Sequence, residues 1–324
     1  GMRPTLDVHS VRDLLYAVEC YRSLNDTCIV IERPIIWTIA GTDPSGGAGI
    51  QADIKVIHAL GGYAASVITA IVAQNTLGVW AWVPVSREMV RAQLDALKED
   101  LPPRAIKIGM LGTVDAVEET VRALEDLDVA VVCDPVLAAS DGTALLDEPG
   151  RRVLRERLVP RVRVLTPNWP ELAILAGRPI RSERDAIEAG RGLVNAGVVA
   201  VVVKGGHGEN LQDSRDWLIM TEGMWCLSSP RQVVDHTHGT GCTFSSSLAT
   251  FLAHGCTLLN ATILAKAYVN QGLRLGGGIG RGRGPLAHLG WPQDESDMPT
   301  VTPIRDAPGI GGEALAQTWS QPMP

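Results

Sequence analysis

The sequence predicts an α/β domain with a mostly parallel central sheet covered by helices on both faces, and three observations lead there. Short apolar runs of strand length alternate regularly with stretches of helical length. The strand runs are near-continuous in Val, Ile and Ala, as strands buried on both faces require. Glycine-rich and polar segments follow the ends of these runs, where open α/β sheets bind their ligands.

Residues 1–34 contain an amphipathic helical pattern over 11–24, end at Pro34 and read as an N-terminal extension. Residues 35–40 are an apolar strand, 41–49 a glycine-rich turn, and a helical stretch runs to about 60. Residues 63–72 read as one buried strand and 87–100 as a helix. Strands at 105–108, 129–133, 162–165 and 198–203 then alternate with helices at 115–127, 149–158, 170–176 and 183–196. Residues 217–220 and 224–227, separated by Thr221-Glu222-Gly223, read as a hairpin. Helices at 243–254 and 259–275 close a domain spanning 35–291. Beyond Trp291 the chain is rich in Pro, Gly, Asp and Ser, so 292–324 is expected to be a disordered tail.

The chain has 324 residues, 45% of them hydrophobic, enough for a large core, and a formal net charge of −7. That balance supplies no broad basic surface, which argues against nucleic acid and anionic membranes as partners. No apolar run reaches the length of a membrane span, and 1–34 lacks the basic-then-apolar order of a secretion signal. Six cysteines (20, 28, 133, 226, 242 and 256) are scattered without a Cys-x-x-Cys pair, which fits a reducing cytoplasm.

The stretch that organises the chemistry is Val234-Asp235-His236-Thr237-His238-Gly239-Thr240-Gly241-Cys242-Thr243, which feeds a helical run. Orphan amides and the positive dipole end at a helix start form an anion site. Gly239 and Gly241 let the amides of 239–242 curl around one oxyanion, and Cys242 falls in the first turn, where a helix N-terminus lowers a thiol pKa. A tight turn alone would need the same glycines.

Gly41-Thr42-Asp43-Pro44-Ser45-Gly46-Gly47-Ala48-Gly49 has four glycines in nine residues, more than one turn needs, and matches neither a Walker A loop nor a dinucleotide fingerprint. Asp53, near the start of the following helix, is either an ordinary first-turn carboxylate or a polar pocket group. Gln74 offers a donor and an acceptor side by side, which matches an aminopyrimidine edge. Met110 and Val136 follow strand ends and could sandwich a flat ring. Asn168 and Glu171, three apart at a strand-to-helix junction, suit either Mg²⁺ held mostly through water or a helix cap. Lys204, one of five lysines, stands at a strand end before Gly205 and Gly206, where it could reach a nucleotide phosphate or merely snorkel to solvent.

The order of these motifs, Gly-Thr-Asp-Pro-Ser-Gly-Gly-Ala-Gly-Ile-Gln-Ala-Asp, Ala-Gln-Asn-Thr, Lys-Ile-Gly-Met-Leu, Thr-Pro-Asn-x-x-Glu, Lys-Gly-Gly-His and Thr-His-Gly-Thr-Gly-Cys, resembles the hydroxymethylpyrimidine and phosphomethylpyrimidine kinases of thiamine biosynthesis. The resemblance covers about 35–291 and implies a ribokinase-like, three-layer α/β/α sandwich. It implies ATP as co-substrate, Mg²⁺, and a homodimer. By the same resemblance Gly41, Asp53, Gln74, Met110 and Val136 line the pyrimidine pocket. Asn168 and Glu171 serve Mg²⁺ and phosphate, Lys204, Gly205 and Gly206 lie on the ATP side, and Gly239, Thr240, Gly241 and Cys242 form the anion hole and the base. Cys242 stands where the wider superfamily carries an aspartate. One departure is the lack of a cation near Ser140, where the family often has a lysine. A pyridoxal or pyridoxine kinase is the nearest alternative, because a hydroxymethyl heteroaromatic is common to both substrates. A ligand-binding regulator without catalysis and a sugar kinase fit less well.

Overall fold

The computed structural model describes residues 33–138, 144–205, 212–292 and 294–304. The helical pattern at 11–24 and Ser140 lie outside them. The strands are β1 (Ile35–Ala40), β2 (Tyr63–Ile68), β3 (Ala70–Asn75), β4 (Gly78–Pro84), β5 (Ala105–Ile108), β6 (Ala130–Cys133), β7 (Val164–Leu165), β8 (Ala200–Val203), β9 (Asp213–Met220), β10 (Gly223–Pro230) and β11 (Thr300–Ile304). The helices are α1 (Gly49–Ala59), α2 (Arg87–Asp100), α3 (Val114–Leu124), α4 (Glu148–Val153), α5 (Trp169–Ala176), α6 (Glu183–Asn195), α7 (Thr240–Ala253) and α8 (Leu258–Leu275).

A nine-stranded sheet runs β11-β10-β9-β8-β7-β6-β5-β1-β2. From β2 to β8 every neighbouring pair is parallel, and β9, β10 and β11 extend the sheet antiparallel. Successive strand residues feed opposite faces. Trp37, Ile39, Ile106, Ile108, Val131, Leu165 and Val201 join one buried cluster together with residues of α2 to α6. Ile36, Ala105, Val132, Val164, Ala200 and Val202 join the other, with Phe244, Leu248 and Phe251 of α7 and Tyr268 of α8. The helices thus sandwich the sheet as expected.

The expected single strand over 63–72 is instead two. The break falls at Thr69, whose N–H donates to Ala40 O at 3.0 Å and whose hydroxyl donates to Met110 O at 2.6 Å. These bonds pin the chain over the ends of β1 and β5, so β3 leaves the sheet and forms a separate antiparallel hairpin with β4. The tail expectation is also corrected over 294–304. There β11 pairs with β10, Val301 is buried, and Pro303 sits on the sheet edge, where a missing donor is tolerated. The helix expected at 149–158 continues from α4 as a π turn over Leu154–Leu158.

The chain passes from β2 through the hairpin and α2 to β5 on the far side of β1. The strand order therefore reverses between β1 and β5, and the crevice outside their carboxyl ends is the expected ligand position.

Candidate active site

Gly41 follows β1 and Met110 follows β5, on the two sides of that crevice. A side chain at Gly41 would place its Cβ 3.1 Å from Met110 Sδ and 3.7 Å from Ala70 Cβ, so Gly41, Met110 and the hairpin meet there. Ala70 and Val72 are the buried residues of β3, and by the two-residue period Gln74 shares their side. The register shifts by one residue between Ala73 and Gln74, where Trp80 is extra on β4. Trp82, opposite Val72, packs over Gly112. Val136, half-buried, follows β6 on the next strand over. Gly41 and Met110 are thus brought together, Gln74 lies further along the same side of β3 as Ala70, and Val136 lies just past the end of β6.

Asp53 is held by a set of polar partners. It is fully buried, and its carboxylate accepts from Lys107 Nζ at 2.9 and 2.7 Å and from the hydroxyls of Thr38 and Ser246. Both oxygens are engaged by protein groups. Burial alone would strip Lys107 of its proton, but Asp53 and other nearby anions hold its pKa above the usual lysine value. Lys107 was legible only as a lysine inside an otherwise apolar strand.

The glycine-rich loop is built around Asp43, which is fully buried. It accepts from Ser45 N and Oγ, Gly47 N and Ala48 N, and pairs with His238 Nε2 at 2.8 Å. Burial works to raise its pKa, but the bonds from His238 and Ser45 prevail and hold it at about 2.

His238 leads into α7, which begins at Thr240, three residues earlier than expected. Gly239 is the N-cap at φ 81°, in the left-handed region, and a Cβ there would lie 1.8 Å from Gly47 O. No side chain caps this helix, whereas Ser86, Thr113, Asp147, Asn168, Ser182 and Thr257 each cap theirs. The amides of Gly241 and Cys242 in the first turn are left for an anion. The N–H of Gly49, the first residue of α1, favours the Cys242 thiolate, and α1 is likewise uncapped by a side chain.

The expected lowering of the thiol pKa is corrected. Burial pushes Cys242 up to about 11; Lys107 and the Gly49 N–H pull against it, and Asp53 and Asp134 add to it. The helix end acts locally, whereas the burial and the carboxylates of Asp53 in α1 and Asp134 after β6 come from elsewhere in the fold.

Across from Cys242, Lys204 Nζ bonds Asp134 Oδ1 at 2.5 Å and lies 3.9 Å from Glu171 Oε2. A Cβ on Gly241 would sit 3.0 Å from Lys204 Nζ and 3.1 Å from Asp134 Oδ2, so the anion turn opens directly onto this pair. Burial opposes the Lys204 charge, yet Asp134 and Glu171 hold its pKa above normal. Gly205 follows Lys204, and Gly206 lies outside the described residues.

Asn168 and Glu171 form a full capping box: Glu171 N donates to Asn168 Oδ1 at 2.9 Å, and Asn168 N to Glu171 Oε2 at 2.8 Å. The capping box is formed, and it occupies one acceptor site of the Asn168 oxygen. Burial pushes the Glu171 carboxyl up to about 7, with Lys204 opposing and Asp134 adding. Two crowded carboxylates, Glu171 and Asp134, fit a hard cation that takes its remaining donors from water and phosphate oxygens. Asp134 is not among the site residues that the sequence singles out.

This arrangement is that of the ribokinase-like α/β kinases, which transfer phosphate from ATP to small molecules. The family described as phosphomethylpyrimidine kinase matches residues 43–287. The hydroxymethylpyrimidine/phosphomethylpyrimidine kinase of Staphylococcus aureus (strain MSSA476) is 40% identical over 269 residues, covering 82% of this chain and 97% of that protein. The pyridoxal kinase from Staphylococcus aureus in complex with ADP superposes with a TM-score of 0.77 at 28% identity, over 85% of this chain and 100% of that one. The phosphomethylpyrimidine kinase from Clostridium difficile 630 superposes at 0.64 with 36% identity, over 73% and 98%. The chain belongs to the phosphomethylpyrimidine kinase family.

Proposed function

We propose that this protein phosphorylates 4-amino-5-hydroxymethyl-2-methylpyrimidine and then its monophosphate to the diphosphate, in thiamine biosynthesis. The observation that carries this reading is the convergence at Gly241: an uncapped helix start and Cys242 on one side, Lys204 and Asp134 on the other. Gln74 would pair with the aminopyrimidine edge while Met110 and Val136 hold the ring over Gly41. Cys242 would take the hydroxyl proton as its minor thiolate form, which Lys107 and the Gly49 N–H make accessible. The amides of Gly241 and Cys242, in the turn formed by Gly239 and Thr240, would hold the transferring phosphoryl group, and Lys204 the nucleotide phosphates. Glu171 and Asp134 would hold Mg²⁺ through water, and the ion would supply neutralising charge at the phosphate oxygens.

Among the described residues no helix is long and apolar enough to cross a membrane, and Cys133, Cys226, Cys242 and Cys256 are free thiols. Both agree with a cytoplasmic enzyme. Ile71 and Val83 are cross-strand partners exposed on the outer face of the hairpin, with Leu77 and Trp80 exposed beside them. An apolar patch of this kind supports the homodimer, which light scattering would test.

Incubating the protein with Mg-ATP and either the pyrimidine or pyridoxal, with products followed by mass, tests the reading. Monophosphate followed by diphosphate is expected from the pyrimidine. The likeness to a pyridoxal kinase keeps vitamin B6 salvage as the second reading, and product from pyridoxal alone would select it.

A further inference from the structure

Asp216 is a buried carboxylate in β9, beside the apolar run Trp217, Leu218 and Ile219. Its Oδ1 accepts the Gly205 N–H at 2.7 Å, and its Oδ2 accepts Lys266 Nζ at 2.8 Å from the middle of α8. Lys266 is itself buried. An ion pair this deep stabilises little relative to well-packed apolar side chains, so its role lies in what it holds in place. It holds the turn after β8. Gly205 is pressed so closely onto β9 that a Cβ would sit 1.9 Å from Arg215 O, and Lys204 N donates to Pro167 O at 2.9 Å. The main chain of Lys204 and Gly205 is therefore anchored on one side by β7's following loop and on the other by Asp216. Between those anchors, the Lys204 side chain reaches Asp134 beside Gly241.

We propose that Asp216, locked by Lys266, is a positioning residue for phosphoryl transfer: it fixes the Gly205 amide and through it aims Lys204 at the nucleotide phosphates. This rests on the reading of Lys204 as a phosphate ligand. Lys266 holds one Asp216 oxygen and leaves the other turned toward Gly205, and a charged acceptor holds an N–H about twice as strongly as a neutral one.

Replacing Asp216 alone would strand the Lys266 charge, so the test uses paired substitutions with K204M as reference. In D216L/K266M the pair becomes apolar and Gly205 loses its acceptor; in D216N/K266M a neutral amide oxygen still faces Gly205. The expected result is a KM for ATP raised about tenfold in D216L/K266M, with a smaller loss in kcat and unchanged binding of the pyrimidine by calorimetry. D216N/K266M should recover most of that loss. Two outcomes overturn the proposal: D216L/K266M losing thermal stability while its KM for ATP stays at the wild-type value, or both double variants being equally impaired in KM. If K204M itself leaves KM and kcat for ATP unchanged, the reading of Lys204 has failed; if K204M is impaired and D216L/K266M is not, only the role of Asp216 has.

Discussion

His238 Nε2 lies 2.8 Å from Asp43 Oδ2 across 195 residues of sequence, and this contact joins the glycine-rich loop after β1 to the anion turn before α7. The two loops also touch through glycines: a Cβ on Gly47 would lie 2.6 Å from the His238 ring, and one on Gly239 would overlap Gly47 O. Asp43 is thus a hub for both walls of the site.

The Asp43 carboxyl is held at about 2 against an ordinary 3.8, so the folded protein releases this proton more readily than the unfolded chain. Its stabilising contribution is present above pH 3.8 and is lost as pH falls through about 2. D43N should lower stability near neutral pH by about 2 kcal/mol, measured by urea unfolding, and should flatten this acid limb.

With the Cys242 thiol pushed up to about 11, a base of this kind makes kcat/KM climb with pH through the alkaline range. C242A should lower kcat by about a hundredfold or more and remove that slope, with little change in pyrimidine affinity. An equal loss of binding would mark Cys242 as a pocket wall.

Glu171 titrates near 7 in the fold against an ordinary 4.5, so its protonated form stabilises the protein below pH 4.5 and that contribution is lost as pH rises through 7. E171Q should therefore be more stable than wild type above pH 7 in a chelator, by up to about 3 kcal/mol. Adding Mg²⁺ should raise Tm for wild type and not for E171Q, as differential scanning fluorimetry would read.

Gly239 combines a left-handed φ with a Gly47 carbonyl where a Cβ would go. G239A should cost about 3 kcal/mol or more and abolish turnover. Gly192, in α6 with nothing within 4 Å of a Cβ, is the control. G192A should stabilise by about 0.5–1 kcal/mol with activity intact, by thermal melts and a coupled ADP assay.

The layers of the fold were legible because strands buried on both faces leave no polar alternation, and that pattern is local. The hairpin was not. The run at 63–72 is apolar throughout, and its break at Thr69 is made by Ala40 and Met110, which lie far away in sequence. Strand β11 was missed for a similar reason: a Thr-Val-Thr-Pro-Ile segment among polar residues becomes a strand only because β10 presents an open edge to it.

For the site, the glycines of 239–241, Cys242, Lys204 and the Asn168–Glu171 box follow from residue type and spacing, because amide donors, capping and strand-end positions are properties of short segments. What the segments do to one another was decided by tertiary structure. Asp53 became a buried counter-ion when β5 brought Lys107 to it, and Cys242 stayed a thiol because burial and two carboxylates outweigh a helix end. Asp134 gained its role when β8 set Lys204 against it. The sequence by itself determined the fold class, the loops that meet ligand and the family; only the folded chain decided which charges are paired, because desolvation and Coulomb terms depend on neighbours distant in sequence.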